Sequence, residues 1–132
     1  MSDVPAITVY DIAGGMPFFT EVVERFYTGV AADPLLRPLY PDDLTDSREH
    51  LALFLAQYWG GPTTYSEQRG HPRLRMRHVA FRIGAAERDA WVRHMTAAIG
   101  VTCAERGTVP DVRVQMLVYS ESAATFLVNA PE

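Results

Sequence analysis

The chain has 132 residues, 48% of them hydrophobic, which lets one ordinary domain bury a core without disulfide or metal staples. Twelve Arg and no Lys stand against 16 acidic residues, a formal charge of −4 that sets nucleic acid and anionic membrane surfaces aside as partners. Cys103 is the only cysteine, which excludes an internal disulfide.

Residues 1–7 read as a short arm. Met1-Ser2-Asp3-Val4-Pro5 holds no basic region leading into an apolar run, and no later stretch reaches the roughly 18 apolar residues of a membrane span. A soluble cytoplasmic protein is the expectation. Tyr10 to Ala13 predicts a short helix stopped by Gly14-Gly15. From Pro17, residues Phe19, Val22, Val23, Phe26, Tyr27 and Val30 trace one apolar face at helical spacing. Pro34, Pro38 and Pro41 then allow only short turns, leaving Tyr40 in a corner.

A second long helix is expected from an N-cap at Asp46 or Ser47 to Trp59, with Leu51, Phe54, Leu55 and Tyr58 on one face and Gly60-Gly61-Pro62 as its stop. Thr63 to Arg77 begins as a polar, Arg-rich loop and allows a short helix after Pro72, carrying His78 near its end. Ala85 to Ile99 predicts a helix terminated by Gly100. The last segment opens with a strand-like alternation at Val112-Arg113-Val114-Gln115. Val112, Met116, Tyr119, Ala123, Phe126 and Leu127 nevertheless follow a helical face for longer, so it is read as a helix. No repeat is present, and four substantial helices with shorter ones make an all-α, single-domain chain over residues 1–132.

Tyr27 on a core stripe and Trp91 would ordinarily pack and make one hydrogen bond each. His-Glu-x-x-His and paired-Cys signatures are absent, so zinc is disfavoured, whereas haem needs only one neutral imidazole beside an apolar slot. No P-loop, dinucleotide glycine fingerprint or nucleophile elbow occurs, and no catalytic residue is assigned.

Gln57-Tyr58-Trp59-Gly60-Gly61-Pro62, the run Tyr65-Ser66-Glu67-Gln68-Arg69-Gly70-His71-Pro72-Arg73-Leu74-Arg75-Met76-Arg77-His78, Phe81-Arg82-Ile83 and Glu87-Arg88-Asp89-Ala90-Trp91 together resemble the truncated haemoglobins of group II. Arg25-Phe26-Tyr27, Leu39-Tyr40-Pro41 and the two glycine pairs fit the same pattern, and the likeness covers residues 8 to 129. The resemblance implies a globin-like, two-over-two helical sandwich that holds non-covalent haem b, with His78 as proximal iron ligand. Tyr27, Tyr40 and Trp91 would then donate to a diatomic ligand on the distal side.

Ser47, at the place where ordinary globins carry a distal histidine, is expected either to face the pocket or to cap its helix. Leu51, with Phe54 and Leu55, should cover the haem. Arg77 is the first choice for a propionate partner, with His50 and Tyr65 as further candidates. Arg69, Arg73 and Arg75 are read as a solvated basic face, and His71 and His94 are given no role.

The implied partners are oxygen, nitric oxide, carbon monoxide and peroxide, together with a reductase; a homodimer is left open. Tenacious oxygen binding serving nitric oxide dioxygenation or peroxide reduction is the leading reading. An oxygen carrier or store with slow release, and a haem-free helical interaction module, are the alternatives.

Overall fold

The computed structural model describes residues 7–130 and is all-helical there, with seven α-helices and one 3₁₀ turn. The expected N-terminal arm falls outside the described residues except for Ile7, which is exposed. Among the described residues no helix is long and apolar enough to cross a membrane.

The first helix, α1 (Val9–Ala13), starts on a reciprocal cap. The Thr8 hydroxyl accepts from the Asp11 N–H, and the Asp11 carboxylate reaches back to Thr8. Gly14 ends it in the left-handed region at φ 112°. Helix α2 (Met16–Ala31) follows with Pro in its first turn, and its Phe18, Phe19, Val22, Val23, Phe26, Tyr27 and Val30 are all buried. The three prolines leave only a 3₁₀ turn, Arg37–Leu39, after which Tyr40 is extended.

Helix α3 (Thr45–Tyr58) begins before the expected caps. Asp43 lies outside the helix and accepts from the Thr45 N–H through Oδ1 at 2.9 Å, so neither Asp46 nor Ser47 caps it. Ala52, Leu55 and Ala56 form its buried stripe, while Leu51 and Phe54 on the adjoining face are half-buried and Tyr58 is exposed. The polar stretch expected as a loop contains a helix, α4 (Thr64–Arg69). Gln57 fastens it to α3 by accepting from the Ser66 N–H at 3.0 Å and donating to the Ser66 hydroxyl at 2.7 Å.

Helix α5 (Leu74–His78) lies where expected. Helix α6 (Ala85–Arg106) runs straight through Gly100 and stops at Gly107, whose φ of 65° and the Thr108 N–H bond to the Cys103 carbonyl close a left-handed cap. A glycine inside a helix costs roughly 1 kcal/mol, which a packed helix tolerates. Helix α7 (Pro110–Phe126) buries Val112, Met116, Ser120 and Ala124.

Helix α2 packs on both α3 and α6, and α6 packs on α7, so two helix pairs stack across one contiguous apolar cluster. The close approach of α1 to the end of α3 depends on glycine. A Cβ on Gly61 would lie 2.5 Å from the Tyr10 ring and 2.8 Å from the Ala56 carbonyl.

Candidate functional site

Three elements bring the expected ligand donors together. Tyr27 from the buried stripe of α2 meets Tyr40 from the proline corner edge-on, ring centroids 5.5 Å apart at 89°. Trp91, half-buried on the second turn of α6, packs edge-to-face on Phe26 at 5.4 Å, and Phe26 in turn touches Tyr27 at 5.0 Å. Trp91 also acts on the Tyr40 phenol, opposing the upward push of burial.

Burial is the main cause that raises both phenols. It pushes Tyr40 up to about 12, and Tyr27 goes higher still, against the opposing pull of the Arg48 charge and a hydrogen bond with Ser47. Both tyrosines therefore stay protonated donors at any physiological pH. Ser47 is among the groups that act on the Tyr27 phenol, and it makes no side-chain cap bond to α3. Arg48 acts on the same phenol and was not foreseen, because an arginine in the first turn of a polar helix start carries no pattern of its own.

His78 closes α5. Its Nδ1 lies 2.6 Å from the Leu74 carbonyl, which can only accept, so that nitrogen is the donor and Nε2 is the ring nitrogen left for another partner. Asn129, near the C-terminus, braces the following segment. Its amide donates to the Phe81 carbonyl at 2.8 Å and the His78 carbonyl at 3.3 Å, and its oxygen accepts from the Ile83 N–H at 2.8 Å. A single asparagine so far along the chain gives no sequence signal of this role.

The propionate candidates gather into one neighbourhood. Arg69 Nη1 lies 3.2 Å from His50 Nε2, and its guanidinium sits 5.9 Å over the Tyr65 ring, which packs on Phe54 at 5.4 Å. Arg69 is thus half-buried and paired instead of belonging to a solvated face. Arg77 spends its Nε on the Pro72 carbonyl at 2.8 Å and its Nη2 on the Arg69 carbonyl at 3.1 Å. Arg75 lies 5.0 Å over the exposed Phe126 ring. His94, expected to be idle, makes a 2.7 Å bond to the buried Asp33.

The residues present fit haem. Met76, Val79 and Phe81 around His78 are 65%, 74% and 40% exposed, and Leu51, Phe54, Tyr40 and Trp91 rest only partly buried against the core. Apolar surface left open in this way is what a flat, greasy macrocycle would cover. An imidazole with a free ring nitrogen supplies the single ligand that such a group needs.

An all-helical sandwich of this size, with the His78 imidazole and a phenol–indole cluster beside open apolar walls, defines a haem globin of the shortened kind. The model of the bacterial-like globin family matches residues 8–125, and the chain belongs to that family.

It is similar to the group 2 truncated hemoglobin YjbI of Bacillus subtilis, 37% identical over 118 residues that cover 89% of this chain and 86% of that one. It is also similar to the crystallised thermostable hemoglobin of the actinobacterium Thermobifida fusca, with a TM-score of 0.89, 52% identity, and 96% and 100% of the two chains covered. A truncated oxygen-avid haemoglobin from Bacillus subtilis superposes with a TM-score of 0.85 at 36% identity, covering 93% of this chain and all of that one. Haem b is the cofactor, and binding of oxygen and related diatomic gases is the activity that membership carries.

Proposed function

We propose that this chain holds oxygen tenaciously and commits it to redox chemistry with nitric oxide, with peroxide reduction as a lesser activity. The observation that carries the reading is the gathering of Tyr27, Tyr40 and Trp91, three N–H or O–H donors from separate elements, into one contact cluster. His78 is the residue that would hold the haem, through Nε2, with Leu74 orienting the ring; Leu51, Phe54 and Leu55 would wall the cleft. When bound, haem supplies an iron that takes up diatomic gases and changes redox state.

The chain's own residues do the rest. Burial keeps both phenols protonated, so they and the indole are available to donate toward a ligand that gathers negative charge. Phe26 fixes the angle between the α2 and α6 donors. Such a lid favours retention over release, and the Bacillus subtilis haemoglobin similar to this chain is itself oxygen-avid. Arg77, Arg69, His50 and Tyr65 line the neighbourhood suited to the haem carboxylates.

Nitrate formation from oxygen and nitric oxide consumes one electron, which a cytoplasmic reductase returns. Stopped-flow measurement of oxygen dissociation and of nitric oxide consumption tests the reading. Slow dissociation with rapid consumption is expected. Fast dissociation without consumption would make the protein a carrier, and a purified chain that takes up no haem would make it a helical interaction module.

A further inference from the structure

The corner that carries Tyr40 is fastened at both ends by contacts that ligand binding itself does not use. At its start, Asp33 is buried at the end of α2. Asp33 Oδ1 accepts from the Leu35 N–H at 2.9 Å, and its main-chain carbonyl accepts from the Arg37 N–H at 2.9 Å, so this residue folds the turn into the 3₁₀ segment. At the far end the Arg37 guanidinium donates to the carbonyls of Tyr40 at 3.3 Å, Pro41 at 3.0 Å and Asp42 at 2.8 Å. Between these ends Pro34, Pro38 and Pro41 withhold N–H donors, and the single 3₁₀ turn Arg37–Leu39 is too short to fix by itself where the corner sits.

What ties it across the molecule is the second oxygen of Asp33. Oδ2 accepts from His94 Nε2 at 2.7 Å, with the exposed Arg93 further off at 3.5 Å. His94 stands three residues beyond Trp91, next to it on the same side of α6. The imidazole reaches the carboxylate by lying against the backbone of α2 at Gly29, where an added Cβ would come within 2.4 Å of Nδ1. Gly29 sits inside a helix with no need of unusual backbone angles, and its missing side chain is explained by the ring it admits.

We propose that the Asp33–His94 hydrogen bond is the positioning device of the ligand lid: it locks the Tyr40 corner onto the helix that carries Trp91 and so sets the contact between those two donors. This rests on the reading that Tyr40 and Trp91 face the diatomic ligand. A carboxylate that is buried and already folds the corner transmits any displacement of its partner directly to that corner. Asp33, His94 and Gly29 touch no ligand; they act through Tyr40 and Trp91.

The test uses ferrous holoprotein. Oxygen dissociation is followed by displacement with carbon monoxide in wild type, Tyr40→Phe, His94→Leu, His94→Gln and Gly29→Ala, and the infrared stretch of bound carbon monoxide is recorded for each. Tyr40→Phe, His94→Leu and Gly29→Ala should each speed dissociation on the order of tenfold and move the stretch, since each loosens or removes the same donor. His94→Gln places an amide N–H near the position of Nε2 and should keep both the rate, to within about twofold, and the wild-type band.

A fast Tyr40→Phe with an unchanged His94→Leu and Gly29→Ala would overturn the clasp and leave the ligand reading standing. Equal acceleration in His94→Gln and His94→Leu would overturn it too, by assigning the effect to ring packing. An unchanged Tyr40→Phe would overturn both. Should His94→Leu fail to fold, Gly29→Ala and His94→Gln give opposite expectations and decide the matter alone.

Discussion

A phenol helps in a ligand pocket only while it keeps its proton, and here burial guarantees it. Tyr40 is pushed up to about 12 and Tyr27 beyond that, so oxygen dissociation should be flat in pH between about 6 and 10 as far as these groups are concerned. A step within that range, measured by gas displacement, would assign the donors elsewhere. Tyr27→Phe keeps the ring that packs between Phe26 and Tyr40 and removes only the hydroxyl. Oxygen release should quicken while carbon monoxide release changes less, because the latter ligand carries less negative charge; equal changes would mean a steric cause.

Trp91→Phe removes the indole N–H, which on the proposed reading donates to the bound ligand. A hydrogen bond to a charge-bearing acceptor is worth roughly 1.5–3 kcal/mol, so oxygen dissociation should rise on the order of 10- to 100-fold. Stopped-flow mixing checks this, and an unchanged rate would remove Trp91 from the role.

At the scale of elements, helix ends and close approaches decide where side chains arrive. Gly61→Ala places a Cβ against the Tyr10 ring and the Ala56 carbonyl, and the latter is backbone that cannot swing aside. The variant should lose about 1–3 kcal/mol in chemical denaturation, with α1 the first element to exchange its amide protons. A neutral outcome would show that α1 can lift off α3 freely.

Glu21 ties α2 to the end of α6, accepting from Arg106 at 2.8 Å and Arg25 at 2.9 Å, and Arg25 also bonds Glu105. Those hydrogen bonds, Arg106 first, hold the Glu21 carboxyl below its ordinary range. A depressed carboxyl stabilises the fold above its unfolded value, and the contribution fades as pH falls through the folded one. The stability gap between wild type and Glu21→Gln, read from urea midpoints, should therefore hold at neutral pH and shrink below about pH 4.3. Added salt should also narrow it, because the groups are partly exposed. A gap indifferent to acid and salt would mean that the pair contributes only through packing.

For the whole molecule, the exposed Met76, Val79 and Phe81 beside His78 make the protein a partner to its cofactor's stability as well as to its chemistry. Haem that binds only the native chain stabilises it by about 4 kcal/mol at a thousandfold excess over Kd. Removing it should lower the melting temperature in calorimetry, and restoring it should recover the loss. His78→Ala should retain haem poorly and abolish most of that gain. Retention with an unchanged histidine-type spectrum would move the ligand away from α5.

The all-α class, the long α2 stripe, the proline corner at Tyr40 and the short helix ending in His78 were all legible, because periodicity, glycine and proline act locally and leave their mark in neighbouring residues. The run from Gln57 to His78 carried the family in the same local way. Other features came only with the tertiary structure. Gly100 looked like a stop, yet the packing of α6 carries the helix on to Gly107. Asp46 and Ser47 looked able to cap α3, yet the helix starts before them, with Asp43 accepting from the Thr45 N–H just outside it. Arg69 and His94 looked like surface charge and idle imidazole. Their partners, His50 and Asp33, lie 19 and 61 positions away, and no local pattern encodes a contact at that separation. Sequence determined the elements and the kinds of group available; the packing of α2 against α3 and α6 decided which of those groups meet.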